Sequence, residues 1–359
     1  MRDHAIKSRI YLDHAATTPA WPEARAAMAE ALALPGNPAS LHAEGREARA
    51  ALEAARDALA RLAACAPDDV ILTSGGTEAI SLALAPHGRI LASATEHSAM
   101  LAARPDITRL PVDRHGLLDI EALASALSHG PALVAVQHVN NETGVIQPID
   151  AIAALVHSHG GLLLVDCVQS AGKLALPKAD YRALSAHKMG GPMGAGALIA
   201  APSAALAARD GAQEHGHRPG TPALAAHAGW AAALAAPPPD WAAVQRRRTA
   251  LEARLKAAGA VIHGEAAPRG PHVSSIGMPG VSATTQLMTL DLAGFAVSAG
   301  AACSSGKASA SHVLAAMGLG AAAGEAIRVS LSPATTDEEL AAFADAWEAM
   351  AARLRKRAA

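Results

Sequence analysis

The sequence predicts an α/β protein: a large domain with a mostly parallel sheet covered by helices, then a smaller α+β C-terminal domain. Three observations carry this. Short strand-like runs at residues 70–73, 89–92, 132–136 and 161–165, apolar over nearly all their length, alternate with helical stretches. Strands apolar on both faces are those of a parallel sheet buried on both sides. Polar residues recur just beyond the run ends, among them Thr77, His97, Asn141, Asp166 and Gln169, where ligands bind in such sheets. A break at Pro237-Pro238-Pro239-Asp240 separates this alternation from a segment with a different element order.

Bulk composition narrows the function. The 359 residues suffice for two domains, and 51% hydrophobic with 17% charged residues is a globular balance. A net charge of -2 and 2% aromatics give neither the charge footprint nor the stacking platform of a nucleic-acid binder. No run is long and apolar enough for a membrane span, and the first nine residues lack the apolar core of a signal peptide. Cys65, Cys167 and Cys303 lie far apart without Cys-x-x-Cys spacing, which predicts a reducing, cytoplasmic setting and no structural zinc. No His-Glu-x-x-His occurs, and His215-Gly216-His217 reads as polar loop, so no metal site is expected.

In chain order, residues 10–12 read as a short strand before the polar turn Asp13-His14-Ala15-Ala16-Thr17-Thr18-Pro19. Pro22 suits the first turn of a helix, because the N–H it lacks has no partner there anyway. Pro35-Gly36-Asn37-Pro38-Ala39-Ser40 breaks that helix. Residues 43–64 are helical in pattern, with Glu44, Glu47, Arg49, Glu53 and Arg56 as a solvated supporting face and Cys65 placed in the helix. The strand at 70–73 runs into Ser74-Gly75-Gly76-Thr77-Glu78 and a helix. That order aims backbone N–H groups and a helix dipole at an anion, for which phosphate is the natural guest; as a lone motif it also fits an ordinary tight turn. Beyond the proline break come a basic helix around Gln245-Arg246-Arg247-Arg248, strands at 272–276 and 295–298, and a helix at 286–292. Thr336-Asp337-Glu338-Glu339 has the form of a capping box opening a last amphipathic helix.

The chemistry centres on Ser185-Ala186-His187-Lys188-Met189-Gly190-Gly191, a lysine between a polar triplet and a glycine-rich loop in an alanine- and leucine-rich region. Apolar surroundings lower an amine's pKa and make it a nucleophile toward aldehydes. The same residues also fit a Ser/His/Lys turn closing a hairpin. Taken with its neighbours, the lysine meets the demands of a pyridoxal phosphate site. Lys188 is the Schiff-base amine, and Asp166 the acid beside the pyridine nitrogen. Gly76 and Thr77 form the phosphate cradle, His97 the platform for the ring, and Gln169 and Asn141 partners for the phenolic oxygen. Singly, Asp166 also fits a strand-end cap and His97 a satisfied core histidine.

These segments, with Gly36-Asn37-Pro38-Ala39-Ser40, Thr95-Glu96-His97, His138-Val139-Asn140-Asn141-Glu142-Thr143-Gly144, Arg218-Pro219-Gly220-Thr221, Ser298-Ala299-Gly300-Ala301-Ala302-Cys303-Ser304-Ser305-Gly306 and Ile327-Arg328-Val329-Ser330, resemble the cysteine desulfurases. That family lies in the class V aminotransferase group of fold-type I pyridoxal phosphate enzymes. The resemblance implies a large cofactor-binding domain over residues 12–240 and a small domain from residues 1–11 and 241–359. It implies Lys188 as the cofactor's anchor and Asp166 as partner of the ring nitrogen. Gln169 and Asn141 stand near the ring oxygen, and His97 stacks on the ring and moves protons. Gly76, Thr77, Ser185 and His187 hold the phosphate, joined by Thr221 from the other subunit of a homodimer. Arg328 clamps the substrate carboxylate in a bidentate grip with Asn37 nearby.

Cys303 separates the desulfurases from transaminating relatives. A thiolate is a strong nucleophile, and Ser304 to Ser311 is small, polar and loop-like. The segment resembles the family branch with a longer cysteine loop, which feeds iron–sulfur assembly through a sulfur-acceptor protein. The implied reaction converts L-cysteine to L-alanine and leaves the sulfur on Cys303 as a persulfide. Rival readings are an aminotransferase, a selenocysteine lyase or a non-catalytic sulfur carrier. Asp210-Gly211-Ala212-Gln213-Glu214-His215 departs from the glycine-rich run and following arginine usual in the family.

Overall fold

The computed structural model describes residues 9–200, 206–208, 212–300 and 310–358. β1 (Ile10–Tyr11), α1 (Pro22–Leu32) and α2 (Ala43–Ala63) precede an alternating stretch. It comprises β2 (Val70–Thr73), α3 (Gly76–Leu84), β3 (Ile90–Ser93), α4 (Ser98–Leu101), β4 (Thr108–Leu110), α5 (Ile120–Leu127), β5 (Leu133–Gln137), α6 (Ile149–Ser158), β6 (Leu162–Asp166), β7 (Tyr181–Ser185) and β8 (Gly196–Ala200). Then come the pair β9 (Ala212–Gln213) and β10 (Arg218–Pro219), followed by α7 (Leu224–Ala235) and α8 (Trp241–Ala257). The C-terminal part holds β11 (Val261–His263), β12 (Val273–Gly277), α9 (Ala283–Leu292), β13 (Phe295–Ala296), α10 (His312–Ala316), β14 (Ala326–Ser330) and α11 (Asp337–Ala358).

Among the described residues the larger sheet has seven strands in the order β2-β8-β7-β6-β5-β3-β4. Only β8 runs against the rest, pairing antiparallel with β2 and β7. Alternation along each strand sends side chains to opposite faces. Val134 and Val136 join one buried cluster with Leu52 and Leu59 of α2, whereas Leu133 and Ala135 join another with Ile80 and Ala83 of α3. The second sheet, β11-β12-β14, is antiparallel and shares a core with α8, α9 and α11. β1 pairs in parallel with β13, and Leu12 is buried in this second core. The chain therefore starts beside its own C-terminal part before entering the large sheet. The capping box is present as expected: Glu339 N donates to Thr336 Oγ1 at 3.2 Å, and Thr336 N to Glu339 Oε2 at 2.9 Å.

Three local expectations change. The Lys188 segment does connect an antiparallel strand pair, β7 and β8, so the hairpin and the site coincide. Cys65 lies past the end of α2, which closes at Ala64 in a left-handed conformation with φ 50°. Arg56 is buried rather than part of a solvated face. Its Nη1 and Nη2 reach Glu214 Oε2 and Oε1 at 2.9 and 3.1 Å, and Leu72 N donates to the same carboxylate at 2.8 Å. Glu214 and His215 both have positive φ, at 51° and 55°. The pair thus ties this departure from the family pattern to α2 and the edge strand β2.

Removing one partner of a buried ion pair strands the other charge at a cost of about 3–5 kcal/mol, whereas apolar replacement of both is far milder. Glu214→Ala should therefore lower the urea midpoint sharply, and Arg56→Met with Glu214→Leu should recover most of that loss. A single variant no less stable than the double would contradict the account.

Candidate active site

The turn after β1 collects the site. Ala15 O accepts Lys188 Nζ at 2.7 Å and Gln169 Nε2 at 2.8 Å, and Ala16 O accepts Lys188 Nζ at 2.7 Å. Asp13 Oδ1 accepts Arg328 Nη2 at 2.8 Å, and Thr17 Oγ1 lies 3.1 Å from His187 Nδ1. Ser330 Oγ fixes the turn by accepting Ala15 N at 2.8 Å. Residues from β6, β7 and β14 are thus drawn to one short segment. Gly190 keeps α1 against the lysine loop, because Gly190 O accepts Trp21 N at 2.9 Å.

Asp166 ends β6 and is buried. Burial pushes its carboxyl up to about 6, against the opposing pull of the Val168 N–H and the Lys188 cation. Glu96 is fully buried, with Oε1 accepting Gln137 N at 2.8 Å and Oε2 without a partner. Burial raises its pKa well above the carboxylate range, with Asp166 adding to the effect. Burial thus disfavours charge on Glu96, and Asp166 is the carboxyl of the two that lies near the Lys188 cation.

His97 caps α4 through Nδ1, which accepts Ala99 N at 3.1 Å. Burial first, then Lys188, His312 and Arg328, push its pKa down to about 4. The ring is neutral at pH 7, and acceptance at Nδ1 places its proton on Nε2. Arg328, on β14, spreads its fork between Asn141 O at 3.0 Å and Asp13 Oδ1, while Nε is buried without a partner. The expected carboxylate clamp is thus already aligned but engaged by the protein's own groups. Gln169 Oε1 meets His272 Nε2 at 3.1 Å, and Asn141 Oδ1 is buried without a partner.

The anion-binding end expected from the sequence is the start of α3. Its N-cap, Gly75, provides no side-chain cap, so the first backbone N–H groups, those of Gly76 and Thr77 among them, point out of the helix uncapped. A Cβ on Gly76 would lie 2.6 Å from Val168 Cγ2 and 3.7 Å from Ser185 Cβ, which puts buried Ser185 beside this terminus. Arg218 Nε donates to Glu78 Oε1 at 2.8 Å, so its charge is matched by the carboxylate on the first turn.

Of the residues expected from this chain, Asn37 does not join the cluster; Thr221 was expected from the other subunit. Asn37 and Thr221 are exposed and line a separate concavity with Met28, Leu34, Pro222 and Ala225. Asn37 Oδ1 accepts Ala39 N at 2.9 Å, holding its own turn. Cys303 lies outside the described residues. Sequence reasoning missed Asp13 as the partner of Arg328, and it missed Lys173 and His272 behind the turn. The signal that singled out Lys188, a lysine in an apolar stretch, was equally present at Lys173.

The donor set fits a phosphorylated aldehyde cofactor: an amine, a buried carboxyl, an uncapped helix start, and unpartnered acceptor and donor atoms at Asn141 and Arg328. Gly190 has φ 84°, and a Cβ there would lie 2.2 Å from the Trp21 indole. Gly194 has φ 85° in open space. Gly190→Ala should cost about 2–4 kcal/mol, combining backbone strain with overpacking, and Gly194→Ala only about 1 kcal/mol. Equal unfolding midpoints for the two variants would contradict this packing.

The chain matches the family model "Aminotransferase class-V" over residues 10–343. It is 41% identical to a cysteine desulfurase of Cereibacter sphaeroides across 92% of this chain and 93% of that one. It is 33% identical to the cysteine desulfurase IscS of Dictyoglomus turgidum, across 98% and 96%. Among solved structures, a NifS-like protein from Rickettsia africae superposes with a TM-score of 0.85 at 30% identity, covering 95% of this chain and 98% of that one. The likeness bears out the expected fold, a large, mostly parallel sheet flanked by helices with a smaller C-terminal part. The chain belongs to the class V aminotransferase family, in the branch of the cysteine desulfurases.

Proposed function

We propose that the chain is a pyridoxal 5'-phosphate-dependent cysteine desulfurase, converting L-cysteine to L-alanine and passing the sulfur to Cys303 as a persulfide. The observation that carries this is the convergence of the Lys188 amine and the Arg328 fork on one turn, with the buried Asp166 carboxyl within electrostatic reach of Lys188, in a chain 41% identical to a named desulfurase. The bound cofactor supplies a sink for the electron pair released at the substrate α-carbon.

The remaining work falls to side chains. Lys188 anchors the cofactor and must first leave the carbonyls of Ala15 and Ala16. Asp166, once ionised, accepts a hydrogen bond from the protonated ring nitrogen. The N–H groups of Gly76 and Thr77 hold the phosphate with Ser185 and His187, and Thr221 completes the cradle from the partner subunit of a homodimer. Gln169 and Asn141 flank the ring oxygen. Arg328 exchanges its hold on Asp13 for the substrate carboxylate, near Asn37. Lys188 and His97, the latter neutral at pH 7, accept and return protons at the reacting carbons.

The Cys303 thiolate attacks the substrate sulfur. The S–S bond forms as the Cβ–S bond breaks, the electron pair of that bond stays with carbon, and protonation of carbon yields alanine. Sulfur is oxidised and carbon reduced, so L-cysteine and the Cys303 thiol balance alanine and the persulfide without an outside oxidant. An acceptor such as an iron–sulfur scaffold takes the outer sulfur onto one of its own thiols and frees Cys303, whereas release as sulfide consumes two thiols of a reductant, which leave as a disulfide. A reducing cytoplasm keeps Cys303 a thiol between turnovers. No helix among the described residues is long and apolar enough to cross a membrane.

Cys303→Ser should retain the yellow bound cofactor and lose sulfide and alanine formation down to background. Lys188→Ala should lose the visible absorbance of the anchored cofactor. Sulfide release by the serine variant, or an unchanged spectrum in the alanine variant, would overturn the respective assignment.

A further inference from the structure

Behind Lys188 stands a second lysine that the proposed reaction does not use. Lys173 follows Gln169 in the loop after β6 and is only 7% exposed. Its Nζ donates to Lys188 O at 2.8 Å and lies 5.8 Å from the centre of the Trp241 ring. Trp241 Nε1 in turn donates to Gly172 O at 2.7 Å, fixing the residue before it. Gly172 has φ 71°, and a Cβ there would lie 2.7 Å from Met189 Cε, so the Met189 side chain packs against this glycine.

A buried lysine is ordinarily matched by a carboxylate, and a methionine of similar length would fill the space without the cost of burying charge. Lys173 has no carboxylate partner among the described residues. The groups that face it are Lys188 and His187 from the β7–β8 connection, His14 from the turn after β1, His272 just before β12, and Trp241 at the start of α8. None is acidic. Burial is the first cause that lowers His14, His187 and His272, and Lys173 adds to it in each, so these rings are neutral at pH 7.

We propose that Lys173 is a positioning residue for Lys188: it ties down the Lys188 main chain and, by its charge, favours the unprotonated form of the Lys188 nitrogen. The proposal rests on reading Lys188 as the cofactor's anchor. Burial and then Lys188 lower Lys173 itself to about 7. Two neighbouring amines in one apolar pocket do not both hold protons cheaply. As Lys188 gives up its charge, Lys173 keeps one, and the site retains a positive potential while its nucleophile is freed.

The test uses full-length protein loaded with pyridoxal 5'-phosphate, following visible absorbance against pH. Lys173→Met should move the chromophore's titration upward by about one unit, because removing a neighbouring cation makes protonation easier. Lys173→Arg, which keeps the charge, should return it toward the wild-type position. A methionine variant that titrates where the wild type does, or an arginine variant displaced as far as methionine, would overturn the proposal. If the methionine variant fails to fold, NMR of wild-type protein labelled with 15N at the lysine side chains decides. With Lys188 engaged by the cofactor, one amine titrating clearly below the others, as its burial requires, supports the proposal, and all amines titrating near about 10 would overturn it. Wild-type protein that shows no visible absorbance would reject the reading of Lys188 itself and the proposal with it. A normal wild-type chromophore with an unshifted variant would reject Lys173 alone.

Discussion

The site depends on two main-chain carbonyls. Ala15 O and Ala16 O hold the Lys188 amine, and the same few residues hold Gln169, Arg328 and His187. Lys188 follows a strand of the large sheet, and Arg328 belongs to the small one. They meet because β1 pairs with β13 and the next residues pass from the C-terminal core to the large sheet's strand ends. Ser330, two residues after Arg328, grips Ala15 directly. A shift of the small sheet is therefore felt at the lysine through one turn.

Burial sets the charge state of what surrounds that turn. It neutralises His14, His97 and His187, each pushed down to about 4, and disfavours charge on Glu96. What remains charged or poised to charge is Asp166, the two lysines and the Asp13–Arg328 pair. In the proposed reaction each has a task in holding an anion, a ring nitrogen or an aldehyde carbon. The low dielectric that makes these groups costly to bury also makes their fields strong where reacting charge develops. The Asp13–Arg328 pair holds the arginine in a defined orientation, and under the proposed function a substrate carboxylate competes with Asp13 for that fork.

Much of this was legible in the sequence because the central strands are buried on both faces. Unbroken runs such as Leu133 to Val136 leave no choice of element, and the polar residue that ends each run marks the ligand side. The edge strand β4 was not legible: two of its three residues are exposed and one is arginine. Arg56 was misread because helical periodicity registers its charge and not Glu214, 158 residues later. Lys173 was missed for a similar reason: its partner is a carbonyl with no side-chain signature. Thr221 and Asn37 were placed at the site by family resemblance alone, and within one chain they stand together in a different concavity. Cys303, outside the described residues, remains a proposal from its motif and its chemistry.

The most direct test of the central claim is the stoichiometry of turnover with L-cysteine, assaying alanine and sulfide with and without a thiol reductant. A desulfurase working through a persulfide forms alanine and sulfide in equal amounts with reductant. Without it, alanine formation should stop near one equivalent per chain while sulfide stays low. Keto acid in place of alanine, or sulfide release indifferent to the reductant, would contradict the account.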